Sequence, residues 1–249
     1  MRLALSIVFL FAGCGYTFGN FAELVKQGDA YDAKYQPDAA LQYYLPAEKL
    51  DPNNAALLVK LARQYVFRMT DLPLKEDKIA SARTALAYAE RAVKAAPKES
   101  DPHLSVAICW GKLTPLVGNR EAVEASRKIK ADAEIAVKLD PRSDYAWLVL
   151  GRWHQELADV GGVTRALAFV AYGGLPAASN EEAVRCFEKA IALRPDRLIH
   201  HVELGRTYAA MGRKDEAIKL LKKGLAMPNT EKDDPETKQR GKATLQKLG

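Results

Sequence analysis

Small and large apolar residues return along this chain at intervals of three and four, with polar residues between them. Gly28 is followed by Tyr31, and after a break come Ala40, Tyr44 and Ala47, closed by Pro52. The succession recurs as Leu61, Ala62 and Tyr65, then Ala85, Ala89 and Ala92, and again as Trp110 and Leu113, then Ile129, Ala133 and Ala136. It returns as Trp147, Leu150, Gly151 and His154, then Ala183, Phe187 and Ala190, and last as Gly205 and Tyr208, then Ala217, Leu221 and Gly224. Such spacing lines up one face of a helix, and no stretch alternates long enough for a strand. Each succession predicts two helices packed face to face, so the chain is expected to be all-α.

The residue types have a steric reason. Two helices approach closely only where side chains are small, which places Gly28, Gly151, Gly205, Ala40, Ala183 and Ala217 at crossings. The larger Tyr31, Tyr44, Tyr65, Phe187 and Tyr208 fill the space beside them. A proline just past each second helix stops it. These prolines, Pro52, Pro97, Pro141 and Pro195, stand 45, 44 and 54 residues apart, and Pro228 closes the last copy one residue early. The pattern is the tetratricopeptide signature, whose plain unit is about 34 residues.

The expectation is a right-handed tetratricopeptide-repeat solenoid of about five helical hairpins with insertions in the middle repeats. A first segment, 1–19, precedes the repeat domain, 20–249, with units near 21–53, 54–98, 101–142, 144–196 and 198–229. A C-terminal capping helix is expected over 234–248, with Asp234 as N-cap and Pro235 as its first residue. Stacked repeats of this kind present extended concave binding surfaces.

The 249 residues, 48% of them hydrophobic, suffice for a sizeable core. The net charge of +6 is spread over many helices without a basic stripe, so nucleic acid is not an expected partner. No carboxylate pair, nucleophile elbow or Walker loop stands out, and Gly161-Gly162 and Gly173-Gly174 lack the lysine and serine of a phosphate loop. Cys109 and Cys186 read as buried thiols, with a disulfide as the alternative. His103, His154, His200 and His201 read as helix-start or core residues. The expectation is a protein that is not an enzyme and has no catalytic residues, metal or cofactor.

At the N-terminus Met1-Arg2 precedes the apolar run Leu3–Ala12 and then Gly13-Cys14. A short basic start, an apolar core and a small-residue exit form a secretory signal. Its Ala-Gly-Cys ending resembles a bacterial lipoprotein leader, which makes Cys14 the lipidated residue. The run is short for a membrane span. Simple cleavage, an uncleaved anchor and a buried extra helical turn stay open. The reading implies an exported protein, periplasmic or held to a membrane surface through Cys14.

From Asp101 onward the resemblance becomes narrower. Leu150-Gly151-Arg152-Trp153, Gly174-Leu175-Pro176, Glu182-Ala183 through Phe187-Glu188-Lys189-Ala190, and Leu204-Gly205-Arg206-Thr207-Tyr208 resemble the regulator of microtubule dynamics family. So do the long insertion in the fourth unit and the spacing of the tail Pro228–Asp234. The resemblance implies a partner-binding helical repeat domain and, as an alternative to export, a cytoplasmic or cytoskeletal setting with a role in microtubule regulation.

Two regions carry the binding expectations. The residue after the small position of each first helix points to the concave side, giving the column Asp29, Arg63, Gly111, Arg152 and Arg206. Arg63, Arg152 and Arg206 are the residues expected to hold a protein partner or acidic peptide, because guanidinium forks suit oxyanions. The alternative is that Glu156 and Glu203 answer them internally. The second region is the insertion Val163–Tyr172, with Leu167, Phe169, Val170 and Tyr172, apolar on nearly every side. It is expected to wedge against its own repeat. The alternative makes it the wall of an apolar cleft for a lipid or a partner's helix.

Overall fold

The computed structural model describes residues 20–249. Cys14 and the leader lie outside the described residues. Twelve α-helices are present among them: α1 (Phe21–Asp32), α2 (Pro37–Leu50), α3 (Ala55–Asp71), α4 (Lys75–Ala95), α5 (Ser100–Leu113), α6 (Asn119–Leu139), α7 (Asp144–Ala158), α8 (Gly162–Tyr172), α9 (Asn180–Leu193), α10 (Leu198–Ala210), α11 (Lys214–Ala226) and α12 (Asp234–Leu248). They pair as α1/α2, α3/α4, α5/α6, α7/α9 and α10/α11, and each hairpin packs on the next. The result is an all-α tetratricopeptide-type solenoid, with α12 laid against α10 and α11.

The periodic residues form its interior. Ala40, Tyr44, Ala47, Ala85, Ala89, Ala133, Ala183, Phe187 and Ala217 are fully buried. A Cβ on Gly205 would stand 2.9 Å from Leu221 Cγ and 3.1 Å from the Leu221 amide nitrogen, so the α10/α11 crossing requires glycine. Cys109 and Cys186 are free buried thiols. Trp153, buried on α7, donates its indole N–H to the Ser126 carbonyl at 2.8 Å, tying the fourth hairpin to the third.

The extra length of the middle units has two destinations. In the second and third hairpins it lengthens helices, with α3 reaching 17 residues and α4 and α6 reaching 21. In the fourth it builds α8 between the two helices of the hairpin.

The connections from one hairpin to the next obey a strict rule. They span 51–54, 96–99, 140–143 and 194–197, four residues each with proline second. Pro228 also stands second in its connection; it comes early because α11 is 13 residues long where α2 and α9 have 14. Three connections are fastened alike: a ring nitrogen six residues on meets the proline carbonyl. His103 Nε2 lies 3.0 Å from Pro97 O, Trp147 Nε1 3.0 Å from Pro141 O and His201 Nε2 2.9 Å from Pro195 O. These histidines are structural fasteners. The final connection, 227–233, breaks the rule with seven residues.

One detail of the cap differs from expectation. Asp234 is the first residue of α12, and the N-cap is Asp233, which makes no side-chain capping bond. The buried Asp234 carboxylate instead accepts from the amides of Thr230 and Glu231 at 2.7 and 2.8 Å, folding the connection into a compact turn.

Candidate functional site

The first helices of the hairpins, α1, α3, α5, α7 and α10, carry the column expected to face the concave side, and every arginine in it has a carboxylate from its own chain. Arg63 on α3 pairs with Asp32 on α1. Arg152 on α7 pairs with Glu156 one turn on, at 3.2 Å. Arg206 on α10 pairs with Glu203, and Arg240 from α12 reaches the other oxygen of the same carboxylate at 3.1 Å. Lys60 and the Tyr44 hydroxyl both bond to Asp29, at 2.5 and 2.6 Å.

Glu203 is the electrostatic centre of this face. It is fully buried, and burial pushes its carboxyl up; the charges of Arg152, Arg206 and Arg240 outweigh that and hold it below its usual value. The structure thus gathers Arg152 and Arg206, with Arg240, around one buried carboxylate and leaves Arg63, on the second hairpin, with a different one. The internal answer by Glu156 and Glu203 is present.

The connection 227–233 meets the α3 face directly and the α7 face through Arg197. Phe67 and Asp71 follow Arg63 at one and two turns along α3, and Tyr145 precedes Arg152 by two turns on α7. Lys232 lies over the Phe67 ring and pairs with Asp71 at 2.8 Å. Glu231 pairs with Arg197 at 3.2 Å, and Arg197 stacks over Tyr145 at 4.3 Å while holding Asp144 at 3.2 Å. Asp233 takes Lys112 at 2.6 Å. The Tyr35 hydroxyl donates to the Thr230 carbonyl at 2.6 Å across 195 residues of sequence. Tyr35 itself has a positive φ of 54°, an uncommon backbone state that aims it from the α1–α2 turn. Lys112, Arg197 and Tyr35 were not singled out in the sequence. The seven-residue connection against a rule of four was the available signal.

The insertion contradicts the expectation that it wedges against its own repeat. Only Ala168 of α8 is buried, while Val163, Leu167, Phe169 and Val170 are 78%, 65%, 71% and 85% exposed. Val163, Leu167 and Val170 stand four and three residues apart, so the solvent face of this helix is its apolar face. The reason lies in how α8 is held: by the backbone at its C-terminal end and by one polar side chain of its own, Arg165. Arg127 of α6 donates to the carbonyls of Tyr172 and Gly174 at 2.8 and 2.9 Å. Arg165 reaches the Leu157 carbonyl. Gly173 closes the helix at a φ of 74°, with the Gly174 amide bonding back to Ala168. Of Leu167, Phe169, Val170 and Tyr172, the last turns inward, lining an open depression with Trp110, Gly118, Asn119, Arg120, Glu121 and Glu124.

No helix among the described residues is long and apolar enough to cross a membrane, and none of their His, Cys, Asp and Glu side chains form a group of three suited to a metal ion.

Comparison with known proteins agrees with this architecture. A thermophilic TPR protein of Thermus thermophilus superposes with a TM-score of 0.66 at 20% identity, over 91% of this chain and 99% of that one. YrrB, described as a TPR protein with an unusual peptide-binding site, gives 0.51 at 16% identity over 91% of this chain and 99% of its own. In sequence, regulator of microtubule dynamics protein 3 of Xenopus laevis is 27% identical over 203 residues, 81% of this chain and 44% of that protein. Regulator of microtubule dynamics protein 1 of Mus musculus is 28% identical over 195 residues, 77% of this chain and 64% of that protein. The chain spans about half the length of the curated relatives it matches. The family model for regulator of microtubule dynamics protein 1-3 matches residues 24–249, so this chain belongs to the regulator of microtubule dynamics family.

Proposed function

We propose that this protein is a non-catalytic scaffold that holds a protein partner, through an acidic segment, on the concave face of its repeats. One observation carries the reading: the first helices of successive hairpins carry the cations Arg63, Lys112, Arg152 and Arg206, each resting against a carboxylate of the chain itself, and two of those carboxylates, Asp233 on Lys112 and Glu156 on Arg152, are open enough to be exchanged for a partner's. Guanidinium groups in such exchangeable pairs recognise carboxylates with geometric specificity. Fluorescence anisotropy with a labelled oligoglutamate peptide tests the proposal. Binding should weaken with salt and fall several-fold in an Arg63→Gln/Arg152→Gln variant. Affinity indifferent to both substitutions and to ionic strength would refute it.

A second reading draws on α8, whose outward Val163, Leu167 and Val170 suit a lipid surface or a partner's apolar helix. Flotation with neutral phospholipid vesicles separates the two: co-migration that is lost in Val170→Asp supports the lipid. Family membership adds microtubules as a candidate partner. Co-sedimentation with assembled microtubules tests that role.

A further inference from the structure

The connection between α11 and α12 is longer than the connections between hairpins. The four connections between hairpins have four residues with a proline in second place. This one has the proline, Pro228, and then three residues more. The segment Thr230–Asp233 is tied to α3 through Lys232, to the end of α5 through Asp233 and to Arg197 at the start of α10 through Glu231.

Its contacts have the form of a bound acidic peptide. A backbone carbonyl, Thr230 O, accepts from the Tyr35 hydroxyl. The carboxylates of Glu231 and Asp233, two residues apart, take Arg197 and Lys112 at 3.2 and 2.6 Å. Between them Lys232 reaches Asp71 on the opposite wall. The side chains answering it come from the first hairpin, from α5 and from the start of α10, elements that only the curvature of the solenoid brings together. Each pair keeps an edge in water: the Lys112 and Asp233 side chains are 23% and 33% exposed. Exposed pairs of this kind hold weakly and are screened by salt.

We propose that Thr230–Asp233 is a resident ligand of the concave face, and that a partner enters by presenting its own acidic segment, with carboxylates at two-residue spacing, which displaces it. The inference rests on the scaffold reading above and specifies both its ligand and its regulation. A tethered segment competes at an effective concentration on the order of millimolar, so it suppresses weak acidic ligands and admits tighter or multivalent ones. Tyr35, Lys112 and Arg197 are then the residues that read the partner.

The probe is a labelled peptide with the sequence of residues 228–235, its ends blocked, measured by fluorescence anisotropy on the full chain. In Glu231→Gln/Asp233→Asn, which disarms the resident segment and leaves Asp234 to hold the turn, the peptide should bind at least tenfold tighter than to wild type. Adding Lys112→Gln should remove most of that gain. Lys232→Ala, a single change that frees the segment from α3, provides a second measurement if the double variant does not fold, and should shift affinity in the same direction. Equal affinity for wild type and both freed variants overturns the proposal. The same titrations with oligoglutamate separate it from the scaffold reading. Oligoglutamate that binds wild type and freed variants alike leaves the scaffold standing without displacement, and no binding of either peptide to any form overturns both.

Discussion

Glu203→Gln changes one oxygen to an amide at the most charged point of the interior. The native carboxylate is fully buried, with Arg206 and Arg240 bonded to its two oxygens and Arg152 contributing through space. The substitution preserves shape and leaves three guanidinium groups facing one another without their shared anion. Breaking a buried ion pair from one side costs about 3–5 kcal/mol. The arginine side chains are 33%, 29% and 25% exposed for Arg152, Arg206 and Arg240, so water relieves part of the repulsion, and about 3 kcal/mol is the expected loss. For a domain of this size that lowers the melting temperature by about 6–12 °C. Circular dichroism at 222 nm follows it. The pH dependence has a definite sign. Because the folded carboxyl titrates below its ordinary value, its stabilisation is complete above the unfolded value of 4.5 and fades as pH falls through the folded one. The gap between wild type and variant should therefore hold from neutral pH to about 4.5 and narrow below it. Arg206→Gln combined with Glu203→Gln should recover part of the loss, since one of the three repelling cations is gone. A melting point within 2 °C of wild type at pH 7, or single effects additive within about 0.5 kcal/mol, would refute the reasoning.

Gly205→Leu should cost about 1–3 kcal/mol or more, because its Cβ would meet the Leu221 amide and the Ala217 carbonyl, which move only if α10 and α11 part; an unchanged melting curve would disprove the close crossing. Val170→Ser should change stability by less than about 0.5 kcal/mol, since the side chain is 85% exposed, and a larger loss in dilute protein would show that something covers α8. Burial pushes the thiols of Cys109 and Cys186 up to about 12, so both should resist iodoacetamide at pH 8 in the native protein and react after unfolding in guanidinium, as read by peptide mass; rapid native labelling would contradict their packing.

The repeat is the part of this protein that its linear order specifies. Gly28, Ala40, Tyr44, Ala47, Ala183, Phe187, Gly205 and Ala217 dictate hairpins because close helix crossings admit only small residues, and contacts within a hairpin are near in sequence. The arginine column was legible for the same reason, being one position on from the small residue. Packing between distant segments decided the rest. Whether Arg152 and Arg206 are free or shared depends on Glu203 and on Arg240, which arrives from α12. Whether α8 lies inside or outside depends on Arg127, which seizes the backbone at its C-terminal end, and on its own Arg165, which reaches the Leu157 carbonyl of α7; hydrophobicity carries no information about such tethers. The meeting of Tyr35 with Thr230 depends on the accumulated twist of five hairpins, a sum of small rotations that no local pattern encodes.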